Sequence, residues 1–186
     1  LDRGQFCDYS RVLDLRSGEL RRNFYWTPES GATVQVTFRR LASLNDPHLA
    51  AVEVAVEPLV RPVKVRMRPR IAGFVENENY LHWRELEPGR QGDVAWLTGL
   101  TRTTGKRLVE AMRLQQPGEV QAEPHYTDSP LNPGYNLEAS LELGQRWAVA
   151  KHVIVYTSRD SDKPVADALA KAVAHTASYD DLLAEA

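Results

Sequence analysis

Apolar and polar residues alternate along Val34-Gln35-Val36-Thr37-Phe38-Arg39, the period of a strand with one buried face. Val52-Glu53-Val54-Ala55-Val56-Glu57 repeats the pattern, and Val63-Lys64-Val65-Arg66-Met67-Arg68 repeats it again. Arg11–Arg16, Leu20–Trp26, Tyr80–Leu86, Val94–Thr101, Arg107–Leu114 and Trp147–Tyr156 suit the same reading. Turn residues fall between the runs: Ser17-Gly18, Ser30-Gly31, Asn45-Asp46-Pro47, Pro88-Gly89, Thr104-Gly105 and Pro117-Gly118, where glycine and proline supply a positive or a fixed φ. Many short strands with no helical pattern between them predict a mainly β chain built as an antiparallel sandwich or barrel. The stretch Asp128–Tyr135, with two prolines and a glycine, reads as the least ordered loop.

The pattern changes after Arg159-Asp160. Ser161-Asp162-Lys163-Pro164 is a helix start, because proline's missing N–H would be unpaired in the first turn anyway. Val165, Ala166, Leu169, Ala170, Val173, Ala174 and Ala177 then recur at helical spacing and predict a helix over about 163–177. Ser178 with Asp181 three residues on resembles a capping box, opening a second helix that reaches the chain end after about two turns. The expected division is therefore a β-sandwich over residues 1–160 and a helical linker over 161–186.

Charge narrows the function classes. The 23 Lys and Arg residues nearly balance 25 Asp and Glu, and a net charge of −2 argues against a nucleic-acid binder. Residues 1–70 carry 12 basic against 8 acidic side chains, but much of that excess alternates with valine along Val63–Arg68, as on the solvated face of a strand. No apolar run approaches the roughly 20 residues that cross a bilayer, so no membrane partner is expected. One cysteine, Cys7, excludes an internal disulfide framework and leaves cytoplasm as the expected compartment. The first residues from Leu1 lack the charged and apolar regions of a signal peptide, and the absence of an initial Met suggests processing or a piece of something longer.

Candidate chemistry is sparse. Histidines at 48, 82, 125, 152 and 175 include no pair at i, i+4, and no cysteine pair can complete a zinc site. His152 sits in an apolar strand run and reads as a satisfied sheet histidine, while His48 follows a turn and is expected to hydrogen-bond within it. G-x-S-x-G, P-loop and G-x-G-x-x-G motifs are absent, so hydrolase elbows and nucleotide cradles have no support. The best candidate surface is Asn79-Tyr80-Leu81-His82-Trp83-Arg84-Glu85. Its rings could stack on sugar faces, and its polar groups, Glu85 included, could bond hydroxyls. The competing reading is a plain strand, with Tyr80, His82 and Arg84 on one face and Leu81, Trp83 and Glu85 on the other.

Four segments together resemble the N-terminal domain of family 65 glycoside hydrolases, which include the maltose, kojibiose and trehalose phosphorylases. They are Arg11-Val12-Leu13-Asp14-Leu15-Arg16-Ser17-Gly18-Glu19-Leu20, then Phe38 to Ala51 with its Ser43 and His48-Leu49-Ala50, then Thr101-Arg102-Thr103-Thr104-Gly105, and Lys151 to Asp160 ending Val155-Tyr156-Thr157-Ser158-Arg159-Asp160. They stand in the family's order and cover nearly the whole chain, with Thr104 in place of the family's usual serine. The resemblance implies a galactose-mutarotase-like super-sandwich, incomplete at its N-terminus, followed by helices leading to an (α/α)6 catalytic barrel. In the family the general-acid glutamate and the phosphate-binding residues lie in that barrel, so no catalytic residue is carried onto this chain. The parent chemistry would be attack by phosphate or water on an anomeric carbon while the glutamate protonates the leaving oxygen.

The expected role is thus a non-catalytic domain supporting the barrel and the rim of its sugar site, with Tyr80, His82, Trp83 and Glu85 as carbohydrate-contact residues. The expected partners are the barrel, an α-linked glucose disaccharide and a second copy in a homodimer. No cofactor or metal is expected, with inorganic phosphate as co-substrate if the parent is a phosphorylase. The alternatives are a free-standing carbohydrate-binding β-sandwich and a small sugar epimerase, the latter needing a His–Glu pair that the sequence does not display.

Overall fold

The computed structural model describes residues 4–77 and 80–186, so Leu1–Arg3 and Asn79 of the candidate surface lie outside the described residues. In chain order the elements are β1 (Gln5–Leu13), β2 (Leu20–Thr27), β3 (Val34–Ala42), β4 (Leu49–Pro58), β5 (Val63–Met67), β6 (Glu76–Asn77), β7 (Tyr80–Leu81), β8 (Trp83–Gln91), β9 (Val94–Thr101), β10 (Arg107–Gln115), β11 (His125–Thr127), β12 (Gly134–Leu141), β13 (Trp147–Thr157), α1 (Pro164–Ala174) and α2 (Tyr179–Ala184). Eight strands form one antiparallel sheet in the order β1-β2-β3-β4-β13-β10-β9-β8, a smaller sheet runs β11-β12-β5, and β6 pairs with β7.

Alternation along the large sheet feeds two cores. Trp147 and Val149 of β13, Val56 of β4 and Val34 and Val36 of β3 meet Met67, Leu137, Ala139 and Leu141 of the small sheet, which makes the sandwich. The intervening residues Ala150 and Ile154 of β13, Ala51 of β4 and Val109 and Ala111 of β10 pack instead against Ala168, Ala172, Tyr179 and Leu182 of the two helices. β13 is buried on both faces, with Trp147 to Ala150 all nearly solvent-free. That explains why its sequence reads as a continuous apolar run rather than an alternation.

Several boundaries differ from the sequence expectation. The strand expected over Arg11–Arg16 is β1, which ends at Leu13; Asp14 to Gly18 form the turn, with the Gly18 amide donating to the Asp14 carbonyl at 2.8 Å. Pro88-Gly89 is not a turn but lies inside β8, at the edge of the large sheet, where a proline costs no ladder bond to a further strand. Gly89 is there because the Trp96 indole of β9 covers it: a Cβ would stand 2.1 Å from Trp96 Cζ2. The strand actually turns at Gly92, with φ 59°. The Asp128–Tyr135 loop gives way at Gly134 to β12, a strand absent from the sequence expectation although Tyr135, Leu137, Ala139 and Leu141 alternate and are all buried.

The helices also shift. α1 stops at Ala174 because His175 turns extended, with ψ 118°, three residues before the expected end at 177. Its buried face is Pro164, Ala168 and Ala172, one position off the Leu169-centred stripe; Ala166, Ala170 and Ala174 are exposed and Val173 is half exposed. Alanines let the helix axis approach the sheet closely, and the larger Val165 and Leu169 pack along its flank. We therefore expect Ala168→Asp to destabilise the chain by several kcal/mol, the cost of an unpaired charge in a dry contact, and Leu169→Asp to cost less because it can turn outward. Paired urea melts check the order. α2 begins on the expected capping box: Ser178 Oγ accepts from the Asp181 amide at 3.1 Å, and Asp181 Oδ2 accepts from the Ser178 amide at 2.8 Å. Those bonds hold the Asp181 carboxyl below its ordinary pKa.

Candidate functional site

The candidate surface forms where the short β6–β7 hairpin runs into β8. Tyr80 and His82 are both exposed and meet edge to face, ring centroids 4.9 Å apart. Arg102, in the β9–β10 turn, fixes the backbone beneath them: its amide donates to the His82 carbonyl and its Nε to the Trp83 carbonyl, both at 2.9 Å. Trp83 itself is half-buried, lying on Gly99 of β9, where a Cβ would stand 2.7 Å from Trp83 Cε3. The plain-strand alternation fails at Arg84 and Glu85. A bulge sets Trp83 opposite Thr101 and Glu85 opposite Leu100, so Arg84 and Glu85 are both exposed and pair with each other at 3.2 Å. The four residues are neighbours, but only Tyr80 and His82 are presented together; Trp83 packs and Glu85 is occupied by Arg84. Phe74 and Val75, just before the hairpin, are each 56% exposed and make its approach apolar.

Two concavities were not legible in the sequence. The larger, about 870 Å³, is an apolar groove between β2–β4 and β5, floored by Val36, Phe38 and Val54 and walled by Val63, Val65 and Met67. The sequence shows these positions only as strand alternation. Lys64 and Arg66, on the outer face of the same strand, pair with Glu138 of β12 and depress its pKa, so the basic run is a solvated face. The second, about 510 Å³, is polar and lies on the other face of β1–β3, lined by Asp8, Asn23, Tyr25, Gln35, Thr37 and Arg146 among others.

Beside that cleft is a buried ionic cluster. Arg39 of β3 donates from Nε to Glu19 at 2.7 Å, from one terminal nitrogen to Glu53 of β4 at 3.3 Å, and from the other to Asp180 of α2 at 2.8 Å. Its guanidinium also sits 4.2 Å from the Tyr179 ring centroid. Burial opposes the charge of Arg39, but the bonds to Glu19 and Asp180 outweigh it and hold the group above its ordinary pKa. The cluster joins the β1–β2 turn, β3, β4 and α2, and every carboxylate in it is engaged. Near the apolar groove, burial lowers the pKa of Lys151 and raises that of Glu110, which stand 3.8 Å apart. Among the described residues no group of three or more His, Cys, Asp or Glu could hold a metal ion.

The four segments carrying the family resemblance all close turns. Asp14 Oδ1 accepts from the Arg16 amide at 2.9 Å in the β1–β2 turn. Asp46 accepts from the His48 amide at 3.1 Å, while the His48 ring bonds the Val155 carbonyl at 2.8 Å and stacks on Tyr156. His48 thus joins its turn through its backbone but spends its side chain on β13. Thr101 and Thr104 share a 2.7 Å hydroxyl contact in the β9–β10 turn. Asp160 Oδ2 accepts from the Thr157 amide and hydroxyl at 2.8 and 2.7 Å after β13.

An antiparallel two-sheet sandwich with C-terminal helices on its outer face defines the class. The chain matches the family model "Glycosyl hydrolase family 65, N-terminal domain" over residues 1–186, and it belongs to that family. Its relatives include an alpha,alpha-trehalose phosphorylase of Thermoanaerobacter brockii, 25% identical over 90% of this chain and 23% of that protein. A kojibiose phosphorylase of Halothermothrix orenii is 26% identical over 86% of this chain and 21% of that protein. In solved structures, a chain described as "Putative kojibiose phosphorylase from human microbiome" shares the fold with a TM-score of 0.82 at 20% identity, covering 98% of this chain and 24% of that one. The chain therefore spans under a quarter of the length of these relatives. No helix among the described residues is long and apolar enough to cross a membrane.

Proposed function

We propose that the chain serves as the non-catalytic N-terminal domain of an α-glucoside phosphorylase or hydrolase of the cytoplasm. In this reading it supports an (α/α)6 catalytic barrel and lends its β6–β8 hairpin to the rim of the sugar site. One observation carries it: each of the four family segments has a polar side chain, Asp14, His48, Thr101 and Asp160, that is consumed in turn or strand contacts. Residues so engaged hold a scaffold; a general acid would need a free proton beside a glycosidic oxygen. The substrate is an α-linked glucose disaccharide, with inorganic phosphate as co-substrate in a phosphorylase, and the whole protein is a homodimer. Tyr80 and His82 are the sugar contacts of the rim, with Trp83 and Glu85 shaping the turn beneath them.

Incubation of the 186-residue chain with maltose, trehalose or kojibiose plus phosphate should release neither glucose 1-phosphate nor glucose. Turnover lost in His82→Ala or Glu85→Gln would overturn the reading. Calorimetric titration with the same sugars should show no binding tighter than millimolar. A tighter site abolished by Tyr80→Ala would favour a free-standing carbohydrate-binding module.

A further inference from the structure

The connector between α1 and α2 is pinned to the large sheet by three polar side chains. Arg113 of β10 donates from one terminal nitrogen to the carbonyls of Val173 and His175, each at 3.1 Å. Gln115, two residues on along the same strand, donates to the carbonyls of Thr176 and Ala177 at 3.3 and 3.1 Å. The third contact joins two imidazoles: His175 Nε2 lies 2.9 Å from His152 Nδ1 of β13, ring centroids 4.8 Å apart. His152 is only 1% exposed, and its second nitrogen, Nε2, has no hydrogen-bond partner among the described residues. It is thus not the satisfied sheet histidine that its sequence context suggests.

A hydrogen bond between two ring nitrogens needs one donor and one lone pair. The Ala177 backbone beside His175 favours a proton on its ring. The assignment that suits both rings puts the shared proton on His152 Nδ1, leaving His152 Nε2 as a buried lone pair. A second proton on Nε2 would create a buried cation with an unpartnered N–H, which a dry site strongly disfavours. We propose that the His152–His175 contact is a proton-sensitive latch, holding α1 and the connector on the sheet while both rings are neutral and releasing them when His152 is protonated.

The surrounding charges favour the neutral state. From β10, Arg113 faces the pair and is itself held by Asp93 at 2.7 Å. From α1, Lys171 pairs with Asp46 of the β3–β4 loop. β4 presents only Ala51 opposite His152, and Tyr179 of α2, in the same apolar cluster, is engaged with Arg39. Burial, then His175, then Arg113, push the His152 pKa down from 6.5 to about 4. Burial also lowers that of His175, with Arg113 and Lys171 adding to it against Asp46 and the Ala177 backbone. A histidine whose pKa is depressed when docked stabilises docking fully above its free pKa. That contribution is lost as pH falls from about 6.5 toward 4.

Hydrogen exchange on the 186-residue chain at pH 7 and pH 5, corrected for intrinsic rates, tests the latch. The exchange-competent population of residues 164–177 should rise roughly 20-fold between the two, while strands β3 and β4 stay protected. His152→Asn, which keeps a donor near the Nδ1 position but cannot titrate in this range, should remove most of that rise. Unchanged helix protection at pH 5, strands opening in step with the helices, or a full rise in His152→Asn would each overturn the proposal. Ring NMR of the unsubstituted chain provides a readout independent of that variant's folding. His152 should stay neutral to below pH 5 while the helices are docked, and ordinary titration near 6.5 with α1 still docked would also overturn it.

Discussion

Replacing Arg39 with leucine should lower the stability of the chain by about 3–5 kcal/mol. The reason is what remains behind. Glu19 and Glu53, 8% and 3% exposed, would lose the guanidinium that bonds both and keep only the half-exposed Arg21 and Arg146, at 3.4 and 3.3 Å. Asp180, largely exposed, would simply return to water and contribute little. α2 would also lose its cationic neighbour over the Tyr179 ring. Urea unfolding at pH 7 measures the loss, and a cost under about 1 kcal/mol would show that water reaches the carboxylates. A companion variant sharpens the test. Arg39→Leu combined with Glu19→Gln and Glu53→Gln should recover much of the loss, because the penalty belongs to buried charge left short of partners more than to the missing attraction.

Trp147→Ala should cost a similar amount, about 3–5 kcal/mol, by a different mechanism. Trp147 is fully buried at the start of β13, and its loss opens a cavity between the two sheets. Its indole N–H also donates to Gln116 Oε1 at 3.2 Å, and Gln116 in turn bonds Ala122 through both ends of its amide. The variant should therefore loosen the 116–122 loop as well as the core. Trp147→Phe keeps most of the volume and gives up the hydrogen bond, so its cost should be clearly smaller. Equal costs for the two would mean that the hydrogen bond, not packing, dominates.

Much of the sheet was legible because its physics is local. Side chains on a strand alternate between faces, so Val34 to Arg39 and Val52 to Glu57 disclose a strand whatever packs on them. The capping box at Ser178 and Asp181 is equally local, closing within three residues. Errors arose where a distant partner decided. Gly89 reads as a turn until the Trp96 indole is seen filling the space above it. α1 reads as Leu169-centred until the sheet selects Ala168 and Ala172, since only small side chains permit that close approach. β12 was readable from its alternation, and the flanking prolines and glycine masked it.

Of the candidate surface, the residue types were visible in sequence but their presentation was not. The bulge after Trp83 separates Arg84 and Glu85 from strict alternation, and a bulge is set by pairing with β9. The sequence by itself determined a mainly β chain with two C-terminal helices, a near-neutral charge and the family segments in order, because each follows from residue type and short spacing. Tertiary structure alone decided the Arg39 cluster, joined across 20 residues to Glu19 and to α2 at the far end of the chain. It also decided the meeting of His152 with His175. In both cases the energy resides in burial and in a partner's position, and neither quantity is written in local pattern.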